Sequence, residues 1–193
     1  VYNNLEAYAD ITVIAGPTGI SMRAAELNLV KGEEVNIGDL YTIQSNTETV
    51  WKQVTVRAQD EAIAQIAEDK LTALETGTTV LLFTTCNGYS GRMTLNVVES
   101  AELAQNGFVW SSANLSMITG LKQKPEIRLN AEGVRRGYTL EIENPEGKTV
   151  LVLDEAGELN AVETGTAVLR MMLNADETQQ KTLAASANIT VYT

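Results

Sequence analysis

Apolar and polar residues alternate along this chain in short runs, and the runs are broken at close intervals by Gly, Asn, Asp or Pro. A period of two predicts strands with one buried face. Glu26–Val30, Val35–Ile37, Val54–Arg57, Tyr138–Glu143 and Thr149–Leu153 read this way. After Gly77, the residues Thr79, Leu81 and Phe83 fall on one face. After Gly165, Ala167, Leu169, Met171 and Leu173 do the same, with Arg170 on the opposite face. Asp60–Asp69 has a helix-forming composition, but it aligns with the strand-like Thr149–Leu153 and is expected to be strand as well.

The pattern repeats. Leu71-Thr-Ala-Leu-Glu-Thr-Gly-Thr-Thr-Val-Leu81 matches Leu159-Asn-Ala-Val-Glu-Thr-Gly-Thr-Ala-Val-Leu169 at eight of eleven positions, an offset of 88. Gly19–Met22 pairs with Gly107–Trp110, and Leu27–Gly32 with Leu115–Gly120, at the same offset. Two separated blocks with one offset mark a structural repeat. Val35 and Ile37 then align with Ile127 and Leu129 at an offset of 92, which predicts four extra residues in the second copy. Ala9–Val13, Thr94–Val97 and Ala187–Val191 are three versions of one alternating closing strand. The expected organisation is therefore 1–16 as the closing strand of a preceding repeat or an N-terminal extension, 17–100 as a first domain and 101–193 as a second. Chains of this kind are expected to be pieces of longer arrays.

Many short strands per repeat predict an all-β fold of two tandem sandwich domains. Gly77 and Gly165 are expected in tight turns, where a positive φ excludes most side chains. Two blocks carry a family resemblance: Leu27-x-Leu29-x-x-Gly32-Glu33-x-Val35-x-Ile37 early in the repeat, and Leu71-x-Ala73-Leu74-x-x-Gly77-Thr78-x-Val80 late in it. Together they resemble the bacterial immunoglobulin-like domain, group 2, over roughly residues 17–193. The late block of the second copy, Gly165-Thr-Ala-Val-Leu169, follows the family's hairpin closely. Its early block departs, since Gly120 is followed by Leu121-Lys122-Gln123-Lys124. The resemblance implies immunoglobulin-like β-sandwiches in an extracellular, cell-surface bacterial protein, where such domains form stalks, adhesive arms or accessory modules.

Composition narrows the chemistry. Fourteen Lys and Arg stand against 25 Asp and Glu, a net charge of −11, which repels phosphate backbones and anionic lipid and argues against nucleic-acid and membrane partners. No run approaches the roughly 20 apolar residues of a membrane span. The chain has no histidine, which removes Ser-His-Asp and Cys-His catalysis and the commonest transition-metal ligand, so no catalytic residue and no cofactor are expected. Gly147-Lys148-Thr149 lacks the first glycine of a phosphate loop, with Ile142 in its place, and reads as a turn. Cys86, the single cysteine, is expected at a strand end beside the Asn87-Gly88 turn.

Weak calcium candidates are Asp60 and Glu61, and Asp154 and Glu155, as hard oxygen donors without the spacing of a known calcium loop. Candidate ligand contacts are Trp51 and Tyr89, beside polar turn signals, and Asp176 and Glu177, in a long loop expected over Ala175–Ser186. Trp110 aligns with Met22 and is expected in the core. The linker Glu99-Ser-Ala-Glu102 lacks Gly and Pro, which predicts a restricted angle between repeats. Three roles are compatible with these features: a spacer among neighbouring immunoglobulin-like domains of the same chain, a module binding a host or cell-surface protein or glycan, and an accessory domain of a secreted carbohydrase.

Overall fold

A computed structural model describes residues 9–48, 50–109, 114–176 and 180–193. Eighteen strands among those residues form two sets of nine, each with the same pairing. The first set is β1 (Gly19–Met22), β2 (Glu26–Val30), β3 (Glu34–Asn36), β4 (Tyr41–Gln44), β5 (Val54–Ala58), β6 (Ala64–Ala67), β7 (Lys70–Ala73), β8 (Gly77–Thr85) and β9 (Ser90–Val98). The second is β10 (Gly107–Phe108), β11 (Asn114–Ile118), β12 (Lys122–Gln123), β13 (Ile127–Arg128), β14 (Tyr138–Glu143), β15 (Leu151–Leu153), β16 (Leu159–Ala161), β17 (Gly165–Leu173) and β18 (Thr182–Tyr192). A 3-10 turn, Ile37–Asp39, follows β3, and a short helix α1 (Ala131–Arg136) joins β13 to β14.

Each repeat stacks a four-stranded sheet on a three-stranded one. The orders are β2-β9-β8-β5 over β3-β7-β6, and β11-β18-β17-β14 over β12-β16-β15, with small pairs β1-β4 and β10-β13 alongside. The early edge strand runs parallel to the closing strand, β2 to β9 and β11 to β18, while the other ladders are antiparallel. This is an immunoglobulin-like sandwich, and the chain is two of them in tandem. Alternation drives it: Thr79, Leu81 and Phe83 on β8 and Met93, Leu95 and Val97 on β9 turn inward against Ala64, Leu71 and Ala73 of the facing sheet. In the second repeat Ala167, Leu169, Met171, Ile189 and Val191 meet Leu151, Leu159 and Ala161. Arg170 stays outside, where it pairs with Glu143 across the β14–β17 ladder.

The structure revises several sequence expectations. Of Asp60–Asp69, expected as strand, only Ala64–Ala67 is one, where pairing with β7 overrides helix propensity; Glu61–Ile63 and Glu68–Asp69 are turns. The offset-92 alignment is corrected. Val35 and Gln123 occupy the same ladder position, opposite Leu71 and Leu159, and Gly32 and Gly120 donate to the matching carbonyls of Ala73 and Ala161, so the offset stays at 88 there. Ile127 instead takes the place of Ile43, facing Phe108 as Ile43 faces Ile20. The apolar letters of β13 imitate those of β3, and only the ladder tells them apart.

The segment through Gly77 is not a hairpin either, because β7 and β8 belong to different sheets. The glycine sits where the chain crosses between them, at φ 150° in the first repeat and 149° in the second. A Cβ there would come within 2.9 Å of Ile63 Cδ1 or Val150 Cγ2. The loop expected over Ala175–Ser186 is shorter, since β18 begins at Thr182. Ala9–Val13 joins no ladder among the described residues. Its alternate side chains Ile11 and Val13 stand in solvent, and Ala15 makes one parallel bridge to Val50.

Candidate functional site

Trp51 and Tyr89 belong to the first repeat, where Trp51 meets Cys86 of the turn that carries Tyr89, and Asp176 belongs to the second. Trp51, on the connection from β4 to β5, is about half exposed and its indole N–H donates to Gln53 Oε1 at 3.0 Å. With Thr12, Ile14, Gly16 and Cys86 it borders a shallow hollow of about 280 Å³. Tyr89, also about half exposed, belongs to the β8–β9 turn, where its carbonyl accepts from Thr85 N. Cys86 opens that turn and is exposed. Asp176 lies on the corresponding connection of the second repeat, with its carboxylate 3.7 Å from Arg136 Nη1. Glu177 and Trp110 fall outside the described residues.

The acidic candidates occupy different loops. Asp60 Oδ1 accepts from Ala62 N, and Glu61 is exposed beside it. Asp154, in the β15–β16 turn, is held by its own loop: Oδ1 accepts from Ala156 N at 3.0 Å and Glu158 N at 2.9 Å, and Oδ2 from Asn160 Nδ2 at 3.3 Å. The bond from Glu158 N, with those from Asn160 and Ala156 and the nearby Lys122 ammonium, holds its carboxyl below the usual aspartate range. Glu155 is exposed next to it. Among the described residues no three Asp, Glu or Cys side chains gather as metal ligands would. Gly147-Lys148 is a turn, closed by Lys148 N donating to Pro145 O.

The two repeats meet where β2 of the first contacts β13 and α1 of the second. In β2 the odd-numbered residues face β9, so Asn28 presents its N–H outward at the sheet edge. The Leu129 carbonyl accepts from that N–H at 2.8 Å and from Asn28 Nδ2 at 3.1 Å. Asn96 Nδ2 donates to Asn28 Oδ1 at 3.3 Å and fixes the amide from behind. Around this bond the apolar packing is continuous: Leu129, Val134, Met171 and Leu173 belong to the same buried cluster as Leu27, Leu29 and Phe83. Two clefts flank the contact, one of about 500 Å³ between Arg23–Glu26 and Pro125–Leu129, the other of about 430 Å³ between Glu33–Asn36 and Asn130–Arg135.

Helix α1 builds the incoming side of this junction. Asn130 caps it by accepting from Gly133 N at 3.1 Å, and Gly137 at φ 69° ends it. The cap and the terminating glycine are visible in Asn130-Ala-Glu-Gly-Val-Arg-Arg-Gly137, but six residues are too few to display an apolar period. The sequence pattern therefore gives no signal for this helix or for Arg136, and none for the role of Asn28, whose partner is a backbone carbonyl.

No family model matches the chain, and no curated protein matches it in sequence. Among solved structures it is similar to domains 5-6 of the S-layer protein SbsC, at 11% identity and a TM-score of 0.37, covering 92% of this chain and 99% of that one. It is also similar to the fibronectin(III)-like modules of Clostridium thermocellum CbhA, at 12% identity and a TM-score of 0.31, covering 89% and 93%. A tri-modular endo-beta-1,4-glucanase of Bacillus licheniformis is similar at 12% identity and a TM-score of 0.36, covering 91% of this chain and 39% of that one. The fold assignment rests on the ladders described above. Among the described residues no helix is long and apolar enough to cross a membrane.

Proposed function

We propose that the chain is a non-catalytic segment of an extracellular array, in which immunoglobulin-like repeats of the bacterial group 2 type set the spacing and direction between more distal parts. The observation that carries this reading is the junction. An edge N–H and a side-chain amide converge on one carbonyl of the next repeat, and buried apolar residues continue across the boundary. A main-chain bond at a sheet edge is directional, and a buried apolar seam opposes separation, so the pair resists bending more than a linker alone would. A spacer needs that property.

A second reading rests on Trp51, which stands exposed beside a shallow hollow and suits stacking against a sugar face or a protein partner. A glycan array and a pull-down from host extracts separate the two. Silence in both, with a fixed inter-repeat geometry in solution, supports the spacer; saturable quenching of tryptophan fluorescence by one glycan, lost in Trp51→Ala, supports the binding module. No calcium-dependent stabilisation is expected in calorimetry at millimolar calcium.

A further inference from the structure

In the first repeat a groove runs between the edges of the two stacked sheets. Gln59 N bonds Val80 O, so Thr55 and Arg57, in step with Gln59, face β8. Val54, Val56 and Ala58 therefore turn their N–H and C=O groups to the free edge of β5, where these meet no hydrogen-bond partner among the described residues. Across the groove β6 is the edge of the facing sheet. Leu74 N bonds Ile63 O, which puts Gln65 in step toward β7 and leaves the main-chain groups of Ile66 outward. Two hollows of about 530 Å³ and about 710 Å³ lie along the groove and share Val56 and Ile66. Val54, Tyr41 and these two residues line it and are only partly buried.

Negative charge marks both ends. Glu61 lines the hollow at the Ala58 end, and Glu68 and Asp69 line the one at the Val54 end. All three are exposed, and none enters an ion pair among the described residues. Arg57, the one cation lining the hollows, alternates with Val56 and lies on the outer face of the sheet. The second repeat lacks this combination. On its edge strand β14, Glu141 and Glu143 pair with Lys181 and Arg170, and Asp154 after β15 is held by its own loop beside Lys122.

We propose that this groove takes an extended segment of a partner protein as an added strand on β5. On its inward face the segment carries apolar side chains at two alternate central positions, which meet Val56 and Ile66. At each end of that face it carries a Lys or Arg, one meeting Glu61 and the other Glu68 and Asp69. The unpaired main-chain groups of β5 bind any extended backbone, while the apolar lining and the two acidic ends select the side chains. About seven residues, at about 3.4 Å each, span the distance. The partner site adds to the array role and does not rest on it.

The probe is the peptide Lys-Thr-Val-Thr-Val-Thr-Lys, labelled with a fluorophore and titrated against the full chain. Saturable binding is expected, with slowed amide exchange at Val54, Val56 and Ala58 in the complex. Ala58→Pro removes one outward N–H and no bond to β8. Glu61→Lys combined with Glu68→Lys reverses the charge at both ends on exposed positions and leaves the core intact. Each of the two variant chains is expected to bind about tenfold more weakly, and a peptide with Glu at both ends binds the unmodified chain more weakly than the Lys-ended one. Absence of saturation at millimolar peptide, equal binding of the two peptides, or undiminished affinity in the charge-reversed chain overturns the proposal. Self-association of the chain alone that Ala58→Pro abolishes also overturns it, because a second copy then fills the groove.

Discussion

Arg136 is 4% exposed, yet its guanidinium is surrounded by acceptors. Nε donates to Asn174 O at 2.8 Å, Nη2 to Gln180 O and Thr182 Oγ1 at 3.2 Å each, and Nη1 to Glu132 at 2.9 Å. It ties α1 to both ends of the β17–β18 connection, and this is why Asp176, read from sequence as a ligand contact, turns inward. Arg136→Met is expected to cost about 2 kcal/mol, the worth of hydrogen bonds to a charged group, measured by denaturant unfolding. The crossover glycines make a sharper pair. Both have positive φ, but the obstructing atom is the rotatable tip of Ile63 in one repeat and a stiff β-branched methyl of Val150 in the other. Gly165→Ala is therefore expected to destabilise more than Gly77→Ala, each by roughly 1 kcal/mol or more. The sequence shows that these positions demand glycine; what presses on each becomes visible only when the sheets are stacked. Asp154 gives a pH prediction. Its folded pKa lies below the unfolded one, so its contribution is present above the usual aspartate range and is lost as pH falls through the lowered value. Asp154→Asn removes that part of the acid sensitivity, seen by comparing unfolding midpoints at neutral and acid pH.

At the scale of elements, strands with one wet face are legible because each residue's environment is set by its neighbours two places away. Glu26–Val30 and Tyr138–Glu143 are recovered with their limits. The alignment of β3 fails for a related reason: Ile127 and Leu129 alternate as Val35 and Ile37 do, and a period of two carries no information about which strand pairs with which. The junction was also illegible, because its central acceptor is a backbone carbonyl, which any residue supplies. Continuity of the buried cluster across that junction predicts coupled unfolding. Calorimetry of the whole chain is expected to show one transition. Val134→Asp, which places a charge at a position 2% exposed, is expected to split it into two, with the second repeat melting first.

For the whole molecule, the tandem repeat was the most legible feature, since a duplicated sequence keeps its spacing through the fold. Nine strands pair alike in each half, and the offset of 88 survives from β2 to β11 and from β8 to β17. What the sequence did not reveal is that the halves are joined by more than their linker. Glu99–Glu102 suggested a restricted angle through the absence of Gly and Pro, whereas the restraint lies in Asn28, Leu129 and the apolar seam beside them. Small-angle scattering of the monomeric chain tests this directly. The account predicts a single narrow distribution of dimensions, broadened when Asn28→Ala is combined with Val134→Asp; a broad distribution in the unmodified chain, unchanged by those substitutions, would contradict it.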